Sequence, residues 1–363
     1  MKTSHGVIIG TKFIVRYVQN LLGFYRPYFA QWEVLYRCNM KCIFCNVYKD
    51  KTYDQTELST QNSFKLLEEL KKTGIIFINF TGGEPFLKKD FVAILRHARK
   101  LGFFITMNEN GLLLKQYAPL IKDYVDSIHV SLDSDNTEKY EEMRGVENAF
   151  SKVLEGIKAA QAQGMHVGVN MTVTKENFGE LKGFCEFAKD LDVDVFLTIV
   201  SVIPTEFKDT SQSKDIKVDF KEYAKKVKEL KKEYPFIKTS DSYLDFVEKG
   251  GFNNYRCLTM KTTLNIKPDG SIAFPCGYFP KYKFQGDVNR IKKWPLFQEA
   301  TKVFKYNFCS DCTLSCFFVP TALMDINCWG PMLRSYLLAT LRRRSFSHKP
   351  VKLHVQEKIP QYQ

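Results

Sequence analysis

Two hydrophobic periods alternate along the first two hundred residues. Short runs rich in β-branched and aromatic residues at 32–36, 75–80, 103–107, 127–131, 167–173 and 195–200 predict strands. Between them, apolar residues three or four apart, such as Phe64, Leu67 and Leu70, predict helices over 60–72, 90–100, 115–123, 151–163 and 178–191. Gly164 follows the fourth of these as a natural C-terminal stop. Strands separated by helices pair in parallel through right-handed crossovers, giving an open doubly wound sheet or a full or partial barrel. In either case function collects on the loops beyond the C-terminal ends of the strands.

The second half differs in kind. Residues 201–251 are polar and Lys-rich, with a helix over 220–233. Residues 252–330 are rich in cysteine, and Pro268-Asp269-Gly270 forms a turn between Thr263–Ile266 and Ser271–Phe274, which reads as a hairpin. The expected organisation is a basic amphipathic segment over 1–31, a core over 32–205, a helical connector over 206–251, a small cysteine-rich domain over 252–330 and a basic amphipathic tail over 331–363.

Composition adds little until the charge is placed. With 44% apolar and 26% charged residues, this is an ordinary foldable chain. Its net charge of +13 is concentrated at the ends: residues 1–31 carry +4 with no acid, and residues 331–363 carry +6. That leaves +3 for the 299 residues between, too balanced for a nucleic-acid-binding body. Between Val7 and Tyr25 apolar residues are interrupted by Lys12, Arg16 and Asn20, which suits a helix lying in a membrane interface better than one crossing it. Leu333, Tyr336, Leu337, Leu338 and Leu341 precede Arg342-Arg343-Arg344, a run suited to acidic lipids. Solvated amphipathic helices packed on the folded body are the alternative. Clustered cysteines and the lack of a convincing cleavable signal point to a reducing cytoplasm, with peripheral association at the inner face of the membrane.

The cysteines carry the chemistry. Cys38, Cys42 and Cys45 are too closely spaced for comfortable disulfides but suit one metal centre. Three thiolates can hold three corners of a cubane iron–sulfur cluster and leave one iron open for catalysis. A structural zinc would want a fourth ligand nearby, and no His or Cys follows before residue 97. Unligated cysteines are the remaining reading.

The C-x3-C-x2-C spacing after the first strand, with Phe44 before the last cysteine, resembles the radical S-adenosylmethionine (SAM) superfamily signature. Gly82-Gly83-Glu84-Pro85 after the second strand is similar to that family's GGEP motif. The resemblance covers roughly residues 32–200 and implies a partial (β/α)6 TIM-type barrel. It implies a [4Fe-4S] cluster on Cys38, Cys42 and Cys45, with SAM chelating the open iron and its amino group held by Gly82, Gly83 and Glu84 beside Pro85. Reduction by a low-potential donor such as ferredoxin or flavodoxin would then give a 5′-deoxyadenosyl radical that abstracts hydrogen from substrate, in an oxidoreductase or transferase. Asn108 and Asn110, Ser131, Asp133, Asn170 and Thr172 are further candidate SAM contacts; Asp133 is also a candidate helix cap.

Cys257, Cys276, Cys309, Cys312, Cys316 and Cys328 resemble the SPASM/twitch extensions that bind auxiliary iron–sulfur clusters, with too few cysteines for two fully ligated clusters. One auxiliary cluster, expected as [4Fe-4S], would use Cys257, Cys276, Cys309 and Cys312, or Cys309, Cys312, Cys316 and Cys328; a zinc site is the alternative. Cys185, alone on a helix, reads as a core residue. Substrate is expected to be a membrane lipid or isoprenoid, with a peptide or protein as the alternative. A non-catalytic scaffold or electron carrier would leave the glycine motif unexplained. No side chain stands out as a catalytic acid or base.

Overall fold

The first six strands each bury one side under helices and turn the other inward, and this sidedness builds the site. The computed structural model describes residues 3–22, 27–45, 47, 57–200, 216–253, 257–276, 279–284, 293 and 312. In chain order the elements are α1 (Thr3–Leu21), β1 (Phe29–Glu33), α2 (Thr60–Thr73), β2 (Phe77–Thr81), α3 (Phe91–Lys100), β3 (Phe104–Glu109), α4 (Leu114–Ile121), β4 (Ser127–Ser131), α5 (Thr137–Arg144), α6 (Ala149–Ala162), β5 (Val167–Val173), α7 (Leu181–Asp190) and β6 (Asp194–Ile199). After these come α8 (Phe220–Glu233), α9 (Asp241–Glu248), a single turn α10 (Thr259–Thr262), and β7 (Thr263–Ile266), β8 (Ile272–Cys276) and β9 (Phe279–Phe284).

Strands β1 to β6 pair in parallel in sequence order, the arrangement of a partial (β/α)6 barrel. The expected hairpin is present, and its first strand joins the same sheet: β7 pairs in parallel with β1, Phe29 opposite Thr263. Antiparallel β8 and β9 extend the sheet from there. At the other edge, residues after α8 cover β6. The Val195 N–H donates to the Phe236 carbonyl at 3.0 Å, and Lys238 N–H to the Val195 carbonyl at 2.7 Å. The connector therefore packs on the barrel, burying Tyr223, Ala224, Val227 and Leu230.

Local chemistry explains the element ends. Ser59 caps α2 by accepting the Asn62 N–H, and Gly74 closes it at φ 92°, a conformation that favours glycine. The outward strand residues Ile78, Phe80, Ile105, Met107, Ile128 and Val130 are fully buried. The inward positions include Gln31, Glu33, Asn79, Thr81, Asn108, His129, Ser131, Asn170, Thr172 and Thr198, so the lumen is mostly polar. Among the described residues, no helix is long and apolar enough to cross a membrane.

Several details depart from the sequence reading, and one part of it lies beyond comparison. The first strand runs 29–33 rather than 32–36, because pairing with Phe77–Thr81 ends at Glu33. Helices α5 and α9 are additional. The 178–191 helix starts as a 3-10 turn, Phe178–Glu180, before α7. The tail over 331–363 lies outside the described residues.

Candidate active site

The cysteine loop leaves the C-terminal end of β1 and is held from two sides by backbone hydrogen bonds. On one side, the loop after β2 docks onto it: Gly83 N–H donates to the Leu35 carbonyl at 2.7 Å and Glu84 N–H to the Arg37 carbonyl at 2.9 Å. A Cβ on Gly82 would lie 2.2 Å from the Leu35 oxygen, and one on Gly83 would lie 2.1 Å from the Arg37 oxygen. Only glycine permits this approach. On the other side, Lys41 N–H donates to the Arg144 carbonyl at 2.9 Å and Ile43 N–H to the Met143 carbonyl at 3.0 Å. The loop is thus clamped between the glycine turn and the end of α5.

The three thiols sit within this clamp, Cys42 buried and Cys38 and Cys45 half-buried. Polar hydrogens are aimed at two of the sulfurs. Met40 N–H lies 3.4 Å from Cys38 Sγ, and the Asn110 amide nitrogen 3.9 Å from it. Arg144 donates to Cys42 Sγ at 3.4 Å. Burial pushes the Cys38 thiol up to about 11, with the Met40 N–H pulling against it and Glu84, Cys42 and Cys45 adding to the rise. Three sulfurs on one loop, with N–H and guanidinium donors facing them, form a donor set that fits thiolates on an iron–sulfur cluster. Among the described residues, no three His, Cys, Asp or Glu side chains converge on a single-ion site; a cubane spreads its protein ligands over separate corners.

Glu84 is fully buried and staples the site. One carboxylate oxygen accepts the Phe86 N–H at 3.1 Å, and the other the Asn110 N–H at 3.0 Å. Burial raises its carboxyl to about 7, against the pull of those two N–H groups. Pro85, also buried, starts the 3-10 turn that Glu84 caps. Asn110 donates to Asn39 Oδ1 at 2.7 Å, tying the end of β3 to the cysteine loop.

Asp133 is buried completely and forms an ion pair with Arg144, while its other oxygen accepts the Thr172 N–H at 2.8 Å. It is not a helix cap; Asn136 caps α5 by accepting the Lys139 N–H at 2.9 Å. Burial opposes the charge on Arg144, but Asp133 and Cys42 outweigh it and hold the guanidinium protonated. The cation also lies over the Phe44 and Tyr140 rings, at 5.5 and 5.8 Å. Asn108, Ser131, Asn170 and Thr172 are half-buried on the lumen face, and Asn170 accepts from the Thr198 hydroxyl at 3.1 Å.

Sequence reasoning missed Arg144, Glu109 and Glu33. Glu109 is buried at the end of β3, where it accepts the Gly111 N–H at 2.7 Å. Glu33 accepts from both Lys267 and Tyr36, at 2.8 and 2.7 Å, and so ties the hairpin to the mouth of the barrel. The flanking Asn136 and Gly145 were a legible signal for the helix that carries Arg144.

Residues 32–188 match the family model described as Radical SAM superfamily. This part of the chain is a radical SAM domain. An AdoMet-dependent heme synthase from Oleidesulfovibrio alaskensis is 31% identical over 176 residues, 48% of this chain and 45% of the relative. The chain spans about half the length of the curated relatives it matches. Streptococcus suis SuiB shares the fold with a TM-score of 0.62 at 17% identity, over 80% of this chain and 72% of SuiB. So does anSMEcpe with bound AdoMet, with a TM-score of 0.60 at 15% identity, over 87% of this chain and 99% of the other.

Beyond the radical SAM domain, Cys257 and Cys276 bracket the hairpin and are half-buried, and Cys312 is buried, its carbonyl accepting the Phe252 N–H at 3.1 Å. Cys309, Cys316 and Cys328 lie outside the described residues. Cys185 is fully buried in the core on α7, as its sequence context suggested.

Proposed function

We propose that this chain is a radical SAM enzyme acting on a substrate whose reacting portion is polar. Cys38, Cys42 and Cys45 would hold the cluster, and the Gly82–Gly83 turn would let the methionine end of SAM approach the loop. When bound, these cofactors supply reductive cleavage of SAM to a 5′-deoxyadenosyl radical that abstracts hydrogen. The protein's own part is positioning. Glu84 and Arg144 fix the cysteine loop from opposite sides, and the half-buried Asn108, Ser131, Asn170 and Thr172 offer hydrogen bonds inside the lumen. The observation that carries the reading is the double clamp on the cysteine loop, since a scaffold needs no glycine turn fitted against its cysteines.

The polar lumen bears on substrate. Its wall suits a group that hydrogen-bonds, such as a peptide segment or the head group of a lipid, better than a bare isoprenoid chain. One auxiliary iron–sulfur cluster in the cysteine-rich region, a low-potential electron donor and peripheral association with an anionic membrane belong to the same reading. Its test is anaerobic reconstitution of the wild type and the Cys38→Ala/Cys42→Ala/Cys45→Ala variant. The wild type should form 5′-deoxyadenosine from SAM on reduction; the variant should not, while keeping the iron of the auxiliary cluster, about four atoms. No 5′-deoxyadenosine from the loaded wild type would sink the enzyme reading. Loss of all iron from the variant would sink the auxiliary cluster.

A further inference from the structure

Helix α1 has two apolar faces, and among the described residues only one of them is covered. On the inner face Phe13 meets Tyr28 and Phe77 edge-on, with ring centroids 5.3 and 6.2 Å apart, and Ile9 packs in the same cluster. Arg16 secures this contact by donating to the Thr73 carbonyl at 3.2 Å. Tyr28 precedes β1 and Phe77 opens β2, so α1 closes the floor of the barrel, the end opposite the cysteine loop.

On the outer face Ile14, Val15, Val18 and Leu22 are 57%, 51%, 45% and 70% exposed. They are four of the six exposed large hydrophobic side chains among the described residues, the others being Ile43 and Leu120. Ile14, Val18 and Leu22 follow one another at one helical turn, so they form a continuous stripe. Single exposed hydrophobics need no explanation, but a stripe on one helix does.

Charge identifies the occupant. Exposed Lys12 flanks the stripe; burial first, and then the charge of Lys12, lower the pKa of the Lys71 ammonium on α2. Residues 1–31 hold four cations and no acid. A second copy of this face would bring cation against cation, whereas anionic head groups would relieve the repulsion.

We propose that α1 seats the barrel floor on an anionic lipid bilayer, with Ile14, Val15, Val18 and Leu22 inserted and Lys12 and Lys71 at the level of the phosphates. This rests on the membrane association included in the proposed function and names the face that makes it. The helix lies in the plane of the interface. The mouth of the barrel, with the cysteine loop, then opens away from the bilayer. The five residues of β1 separate the two ends by about 16 Å. Substrate accordingly arrives from the aqueous side, or as a lipid head group carried clear of the membrane.

The test mixes the reconstituted full chain with phosphatidylcholine vesicles, with and without phosphatidylglycerol, and measures co-sedimentation. The wild type should bind the anionic vesicles and release at high salt. Ile14→Ser/Val18→Ser/Leu22→Ser should weaken binding by about tenfold or more, with iron content and 5′-deoxyadenosine formation unchanged. A Val18→Trp variant should be quenched by brominated lipids. No vesicle binding by the wild type would overturn the membrane association itself. Equal binding by wild type and triple variant would leave that association standing and overturn the role of α1. A wild-type dimer that the triple variant converts to monomer, with no vesicle binding by either, would assign the stripe to a second copy and also overturn the proposal.

Discussion

Arg144 donates to Cys42 Sγ at 3.4 Å while its other terminal nitrogen pairs with the buried carboxylate of Asp133. One guanidinium thus links a candidate cluster ligand on the loop after β1 to a carboxylate just beyond the end of β4. Its removal would leave the Asp133 carboxyl, already raised by burial, without its cationic partner in the interior. Arg144→Ala should cost about 3–5 kcal/mol in denaturant unfolding of the loaded protein. Arg144→Lys should lose less stability, because it keeps the charge but not the planar fork.

Gly82 and Gly83 make a sharper prediction. Each added Cβ would sit about 1 Å inside normal contact with a backbone oxygen of the cysteine loop. Overpacking of this kind costs about 1–3 kcal/mol, and here the loop has to yield. Gly83→Ala should therefore lower iron retention at the Cys38/Cys42/Cys45 site more than it lowers the unfolding midpoint. Iron content and circular dichroism on the same sample separate the two effects.

Acid should weaken the fold through His129. Burial, with help from the His166 imidazole, lowers this side chain from its ordinary value to about 4. The unfolded chain takes up a proton near pH 6.5 that the folded chain refuses until about pH 4. Its contribution is therefore fully present above pH 6.5 and is lost as the pH falls toward 4, at about 1.4 kcal/mol per unit. Comparing unfolding midpoints at neutral and mildly acidic pH, His129→Gln should show a smaller drop than the wild type. An identical drop would remove His129 as the cause.

Lys267 reaches Glu33 across the β1–β7 pair at 2.8 Å, and both side chains are largely shielded from solvent. Lys267→Met keeps most of the aliphatic stem and removes the charge, so of the Tyr36 and Lys267 bonds Glu33 retains only that from Tyr36. A loss of about 1–3 kcal/mol follows from leaving part of a shielded acceptor without its charged partner. Thermal unfolding of Lys267→Met beside Lys267→Met/Glu33→Gln should show the second change recovering part of the loss.

The alternation of strands and helices was legible because each strand buries one full side, so its apolar run stands out. Helix α2 was readable to within a residue from Phe64, Leu67 and Leu70. The boundary of β1 was not. Residues 28–36 are apolar almost throughout, and its end is set by a partner strand more than forty residues away. Helix α5 escaped because its surface is mostly Lys and Glu, and it buries only Tyr140, Met143 and Arg144. In the site, the cysteines and glycines announce themselves by spacing. Arg144 and Glu33 do not, since an isolated charge looks like any solvated one until the fold shows what it faces.

The pairing of β7 with β1 also has a consequence in time. Glu33 and Lys267 are 234 residues apart. On a ribosome adding about 5–20 residues per second, β1 waits on the order of ten to fifty seconds for that neighbour to be made. Throughout the interval one edge of the first strand stays open to any other extended chain. The cysteine loop begins directly beyond that strand, so cluster loading before β7 is synthesised would act on a nascent barrel whose first strand has only one of its two partners. Helper proteins that shield strand edges should therefore matter more to yield for this chain than the stability of its finished fold would suggest.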